Sequence, residues 1–287
     1  MLKRLLRHLL RIGLTLLVGG LLAATLIRLA PGFDTDEQQM DSRLSSESLQ
    51  ALRQQRAEHG NILKFYAAFL SSAVRGDFGQ SQTLNRPVRE LVAERMAVTL
   101  KLIGCGLLVG WSLALVFAVT ATMTRIAAWD VATTALAGLF LCIPSAVLAL
   151  VFVFVRAPGF LAVGLMIFAN VFRYWRNLLE KSYAMPHIIT ARAKGLGAIR
   201  ILCFHMLPVA GTQLLAVAGV SVSIALGASI PVEALCGIPG IGQLAWQAAM
   251  GRDLSLLVTL TLLVTVITLL ANSTSDLLGQ AFRTQRA

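Results

Sequence analysis

The residues that could do chemistry are few, and their spacing limits what they could do. Cys105, Cys142, Cys203 and Cys236 stand singly, with no CxxC pair. That spacing supports neither a disulfide framework nor a zinc site, and they read as small apolar residues of packed helices. His8, His59, His187 and His205 belong to no His/Cys/Met cluster of metal-ligand spacing. No GxxxxGKS or GxxxxGKT loop exists to cradle phosphates, and no HExxH, GxSxG or intramembrane aspartate pair supplies hydrolytic machinery. The chain is therefore expected to be no enzyme and to bind no cofactor or metal. Two ionisable groups beside apolar runs remain, Lys101 and Glu233. An ionisable group in a membrane segment is by default a functional candidate. Lys101 can instead snorkel to the interface, and Glu233 can serve either a gate or the structure of a loop.

Composition sets the solvent. Of 287 residues, 56% are hydrophobic and 14% charged, with a mean hydropathy of +0.74; soluble domains carry about 25% charged residues. These values exclude a soluble enzyme and a disordered chain, because a soluble fold could not cover so many apolar runs with polar surface. The net charge of +11 would suggest nucleic acid on a soluble domain. Here its placement matters more, and nucleic acid is not an expected partner; the lipid bilayer is.

A bilayer core of about 30 Å needs roughly 20 apolar residues. That ruler gives six spans, near residues 10–30, 97–122, 131–155, 159–176, 209–231 and 254–279. The fourth is short and ends in Arg173 and Arg176, which a tilted helix can snorkel toward the interface. The basic stretch Met1 to Arg11 leads into an apolar run longer than a signal-peptide core, so the first span is read as retained. Basic residues collect at the N-terminus (Lys3, Arg4, Arg7, Arg11), at Arg125, along 173–200, and in the tail at Arg283 and Arg286. The positive-inside rule then puts both termini in the cytoplasm. Residues 31–96 form a polar outside segment, expected to be a helical cap. Leu44 to Arg56 and Ile62 to Val74 have helical spacing, Ser45 or Ser46 could cap the first, and Gly60-Asn61 marks a turn. Arg86 to Met96 reads as an amphipathic lead-in to span two. Three parts result: 1–30 (cytoplasmic N-terminus and first span), 31–96 (external helical segment) and 97–287 (membrane domain with a cytoplasmic loop about 177–208). Pro144 is expected to kink span three.

Between spans four and five, Ala184 to Pro208 is too basic to cross lipid and too apolar to be a solvated loop, so it must pack against something. Pro186 suits a first helical turn, His187 to Lys194 makes a two-turn amphipathic helix, and Gly195 and Gly197 can take the φ > 0 conformations that end it. Ala198 to Met206 begins a second helix. The pattern reads as a docking element, with Ile188, Ile189 and Ala191 available to one partner and Arg192, Lys194 and Arg200 to another. The same residues would equally suit an interfacial helix on anionic headgroups.

The residues of this stretch also carry a resemblance. Thr190-Ala191-Arg192-Ala193-Lys194-Gly195-Leu196, followed by Leu207-Pro208, resembles the EAA signature of permease subunits of binding-protein-dependent ABC importers, in the form of the dipeptide, oligopeptide and nickel branch. Other segments agree in order. Leu29-Ala30-Pro31-Gly32 resembles that branch's RLAPG, Arg75 to Ser81 its RGDLGxS, and Arg86-Pro87-Val88 with Glu94-Arg95 its lead-in to span two. Ile143-Pro144-Ser145 has its counterpart within span three. Val232-Glu233, then Gly237-Ile238-Pro239-Gly240-Ile241-Gly242, and Arg252-Asp253 are similar to its VE, IPGLG and RD outside loop. Three features depart from the pattern. Ile189 stands at the acid position of the signature, His205 stands two residues before Leu207, and the link from Arg156 to Gly159 is short.

The resemblance implies an all-α, polytopic, type I importer permease of MetI-like architecture in the bacterial cytoplasmic membrane. It implies that this chain pairs with a second homologous permease, two cytoplasmic ABC ATPases that bind ATP and magnesium, and an external solute-binding protein. Thr190, Ala191, Arg192, Ala193, Lys194, Gly195, Leu207 and Pro208 would couple it to the ATPases. Glu233, Gly237, Pro239, Gly240 and Asp253 would form the external gate or loop. Short peptides are the expected solute, with nickel or another small solute as the alternative. The small residues of span five, among them Gly219, Ser221, Ser223 and Ala225, suit a cavity lining, a permease interface or ordinary helix packing. A stand-alone carrier or scaffold is the rival class. A carrier would more often show an internal repeat and buried acidic pairs.

Overall fold

The computed structural model describes residues 13–22, 24–26 and 62–284. The expected helix Leu44 to Arg56 and the Gly60-Asn61 turn lie outside the described residues. Residues 13–22 and 24–26 are helical. The helices that follow are α1 (Ile62–Val74), α2 (Val88–Thr124), α3 (Ala127–Cys142), α4 (Ser145–Phe154), α5 (Gly159–Tyr183), α6 (Pro186–Ala193) and α7 (Ala198–Ile201). A π-helical turn, Leu202–Met206, runs from α7 into α8 (Leu207–Leu235), followed by α9 (Ile241–Met250) and α10 (Leu254–Thr284). Helix α1 ends at Val74, where the apolar spacing predicts.

By length and composition, α2, the stretch Gln213–Leu235 of α8 and Leu254–Gly279 of α10 are each able to cross a membrane. The pair α3 and α4 would be a fourth span, but it bends by 99°. Span three is therefore not one helix. Ile143 and Pro144 are both extended, with ψ of 122° and 143°, because proline disfavours the helical region for the residue before it and supplies no N–H to the preceding turn. The predicted kink is a full break. Helix α5 is as long as a span, yet its second half carries Arg173, Arg176, Glu180 and Lys181.

Contacts divide the chain into two compact units, one of residues 1–96 with 244–266 and one of 97–243 with 267–287. In the second unit α5 forms the centre. Ile167, Phe168, Phe172 and Leu179 are essentially inaccessible, and α8 packs extensively against α5. A helix wrapped by other helices needs less hydropathy than one facing lipid, which accounts for the weak signal of the fourth span. Phe168 is the hub of an aromatic cluster, with Phe117 at 5.4 Å, Phe172 at 5.7 Å and Phe140 at 6.4 Å. Helix α2 meets α5 through Gly106 and Gly110. A Cβ on Gly110 would lie 2.7 Å from the Gly164 carbonyl, and one on Gly106 would lie 2.8 Å from Val163. This is a small-xxx-small contact that brings two backbones together. Arg176 does not snorkel free. Its Nε and a terminal nitrogen hold the Asp130 carboxylate at 2.6 and 2.7 Å, and Glu180 lies at 2.9 Å, which ties α3 to α5.

In the first unit, Ala24, Tyr66, Phe69, Leu254 and Val258 form a smaller core. The Tyr66 hydroxyl donates to the Leu16 carbonyl at 2.9 Å.

Candidate functional site

The basic stretch folds as two short helices across a glycine turn. Met185 is extended, Pro186 opens α6 at its first position, and the Thr190 hydroxyl bonds back to the Pro186 carbonyl at 3.1 Å. Gly195 takes φ +74°. The Leu196 N–H then reaches back to the Ala191 carbonyl and the Gly195 N–H to Arg192, which closes the helix end. Gly197 does not share this role. It has φ −64° and ψ 150° and precedes α7, so of the two glycines only Gly195 needs its missing Cβ. The expected second helix is also not regular, since α7 gives way after one turn to the π-helical segment that holds Cys203 and His205.

The faces of α6 differ from the expected assignment. Ile188 and Ala191 are buried, at 0% and 4% exposure, in the same core as Leu179, Ile201 and Met206. They are not available to a partner, because a helix of two turns has only one apolar face and the chain's own core uses it. The outward face holds Ile189 at 57% exposure, with Thr190, Ala193 and Lys194. Arg192 is exposed but reaches inward over the Tyr183 ring, 4.9 Å from its centroid. Beyond the turn, Ile199 and Phe204 are 79% and 74% exposed, and with Arg200 and Cys203 they line an open apolar groove. Leu207 and Pro208, both half-buried, carry the π-helical turn into the first turn of α8.

The second group of predicted residues lies at the other end of α8. Gly237, at φ +66°, ends that helix, with the Ile238 N–H bonded to the Glu233 carbonyl at 3.0 Å. The Glu233 side chain is fully buried and accepts the Gly242 N–H at 2.5 Å, with the Gln243 N–H and the Thr99 hydroxyl also bonded to it. The Thr99 hydroxyl in turn accepts the Ile241 N–H at 2.7 Å. Glu233 thus satisfies the free amides that start α9, where a carboxylate is favoured. A Cβ on Gly240 would collide with the Glu233 carboxylate. Glycine there is a condition of the cap, and Pro239 leads the chain into it.

Asp253 plays the same part for α10. Its Oδ1 accepts the Leu256 N–H at 3.1 Å, while Oδ2 accepts the Ser81 hydroxyl at 2.6 Å and the Thr83 N–H at 3.2 Å. Asp253 is inaccessible and Ser81 nearly so. The loop that presents Ser81 is tight. Gln80 and Pro87 form a bridge, the Ser81 N–H bonds the Arg86 carbonyl at 2.9 Å, and the Gly79 N–H bonds the Asp77 carboxylate at 3.0 Å. Arg86 grips Glu94 with two bonds of 2.6 and 3.1 Å. The RGDFGQS and RD segments, read separately in the sequence, are therefore one structure.

Among the described residues no group of three His, Cys, Asp or Glu side chains is placed to hold a metal.

A family model described as the binding-protein-dependent transport system inner membrane component matches residues 106–285. The oligopeptide transport system permease protein OppB of Escherichia coli strain K12 is 30% identical over 285 residues, covering 92% of each chain. OppB of Haemophilus influenzae is 29% identical over 242 residues, covering 76% of this chain and 78% of its own. Among solved structures, a chain of the MetNI methionine ABC transporter shares the fold with a TM-score of 0.56 at 19% identity, covering 68% of this chain and 94% of that one. The chain belongs to the family of inner-membrane components of binding-protein-dependent transport systems, and is an ABC importer permease of the peptide branch.

Proposed function

We propose that the chain forms one half of a translocation pathway for short peptides and is driven by two cytoplasmic ABC ATPases docked on α6. A second homologous permease supplies the other half, and an external binding protein delivers the solute. ATP and magnesium reside in the ATPases, and both termini face the cytoplasm. The observation that carries this reading is the division of α6 into two faces. Ile188 and Ala191 anchor it in the core, so it moves with α5 and α8, while Ile189, Thr190 and Ala193 stay outward for a partner. Closure of an ATP-bound ATPase pair would then move the helix as a rigid body and bias one of two packed states. Peptide as the solute draws on the OppB relatives, which are named for oligopeptide transport.

Uptake of labelled tri- to pentapeptides by a deletion strain tests both parts. Uptake is expected to be lost on deletion, restored by the wild-type chain, and not restored by Thr190→Arg present at wild-type level in the membrane. Unchanged peptide uptake together with lost nickel uptake would overturn the solute assignment. Full rescue by Thr190→Arg would overturn the docking assignment.

A further inference from the structure

Tyr183 closes α5 three residues ahead of Pro186, and its ring packs at the edge of the large core. Two guanidiniums lie over that ring. Arg192 of α6 is 4.9 Å from the centroid, and Arg125, in the turn between α2 and α3, is 5.2 Å away. Arg125 holds a left-handed backbone, φ 55°, which a non-glycine residue keeps only where its surroundings over-determine it. Among the described residues neither arginine forms an ion pair, so the ring is the feature that draws both cations to one place. Without it, two like charges would repel.

We propose that Tyr183 is a positioning residue that ties the docking helix to the α2–α3 turn, so that a displacement of α6 carries the adjoining ends of α2 and α3 with it. The proposal rests on the reading of α6 as the ATPase-docking helix. It gives the signature residue Arg192 an internal role: the guanidinium holds the helix to the moving body rather than meeting the ATPase.

The test uses the whole importer, purified with its own ATPases in nanodiscs, after the four cysteines have been replaced by serine. Spin labels are placed at the exposed positions Ala193→Cys on α6 and Ala128→Cys on α3. Their separation is measured without nucleotide and with ATP trapped by vanadate. One narrow separation is expected in both states, and Tyr183→Leu should split it on ATP binding while the ATPases stay bound. Tyr183→Phe should behave as wild type, since the attraction resides in the ring. A wild-type separation that changes with ATP, or a Tyr183→Leu separation that does not, overturns the proposal. If Tyr183→Leu fails to assemble, Arg192→Gln and Arg125→Gln at their exposed positions give the same reading, and a separation unaltered in both overturns it. Thr190→Arg that keeps its ATPases would instead refute the docking reading, whatever the labels report.

Discussion

Glu233 and Asp253 are both buried, and in each one carboxylate oxygen accepts an amide that opens a helix. Asp253→Ala removes an N-cap and strands the Ser81 hydroxyl and the Thr83 N–H, a loss of about 3 kcal/mol or more. We expect a markedly lower unfolding temperature of the purified complex for Asp253→Ala and a smaller drop for Asp253→Asn, whose amide oxygen can still cap. Gly240→Ala should displace the start of α9, because the added Cβ meets the Glu233 carboxylate. Protease sensitivity of the loop 236–243 would report it, and unchanged cleavage would contradict this reading of the cap. The sequence marks Glu233 as a candidate because it sits beside an apolar run, and Asp253 through the resemblance of Arg252-Asp253 to the outside loop of importer permeases. It could not pair Asp253 with Ser81, since 172 residues separate them and nothing in the spacing of either segment points to the other.

Helix α6 shows how far periodicity reaches. Its start at Pro186 and its end at Gly195 are legible from proline and glycine chemistry, but which apolar residues face inward depends on Leu179, Ile201 and Met206, which lie elsewhere in the chain. Thr190→Arg and Ile189→Asp should therefore release the ATPases while leaving the membrane level unchanged. Ala191→Arg should instead reduce the folded protein itself, because it drives a charge into the core. Blots of membranes and of purified complexes separate the two outcomes, and equal effects of Thr190→Arg and Ala191→Arg on protein level would contradict the face assignment. The α2–α5 contact had a readable signal in Gly106-Leu107-Leu108-Val109-Gly110, a GxxxG pattern that marks close helix packing. Gly110→Val should cost about 1–3 kcal/mol by overpacking, measured as a lower unfolding temperature, whereas Gly138→Val, at a glycine with open space around it, should cost far less.

At the scale of the molecule, hydropathy located the long apolar helices and misjudged the third span, because window averages cannot see that Ile143-Pro144 turns the chain by 99°. It also underrated α5, whose surroundings are protein. Family membership follows from the order of short segments along the whole chain, and the geometry explains part of that order, since the separated RGDFGQS and RD segments meet in one unit. The proposed cytoplasmic placement of the C-terminus predicts activity from a cytoplasmic reporter fused after Ala287 and none from a periplasmic one. The reverse would invert the whole topology. The central claim, that this chain is a permease driven through α6, is tested most directly by purifying the tagged chain from its own host in mild detergent and quantifying its partners by mass spectrometry. The account predicts a stoichiometric second permease with P-loop ATPases, and, for Thr190→Arg, the same second permease without the ATPases. A chain that purifies alone or as a homo-oligomer, or a Thr190→Arg complex with its full complement of ATPases, would contradict it.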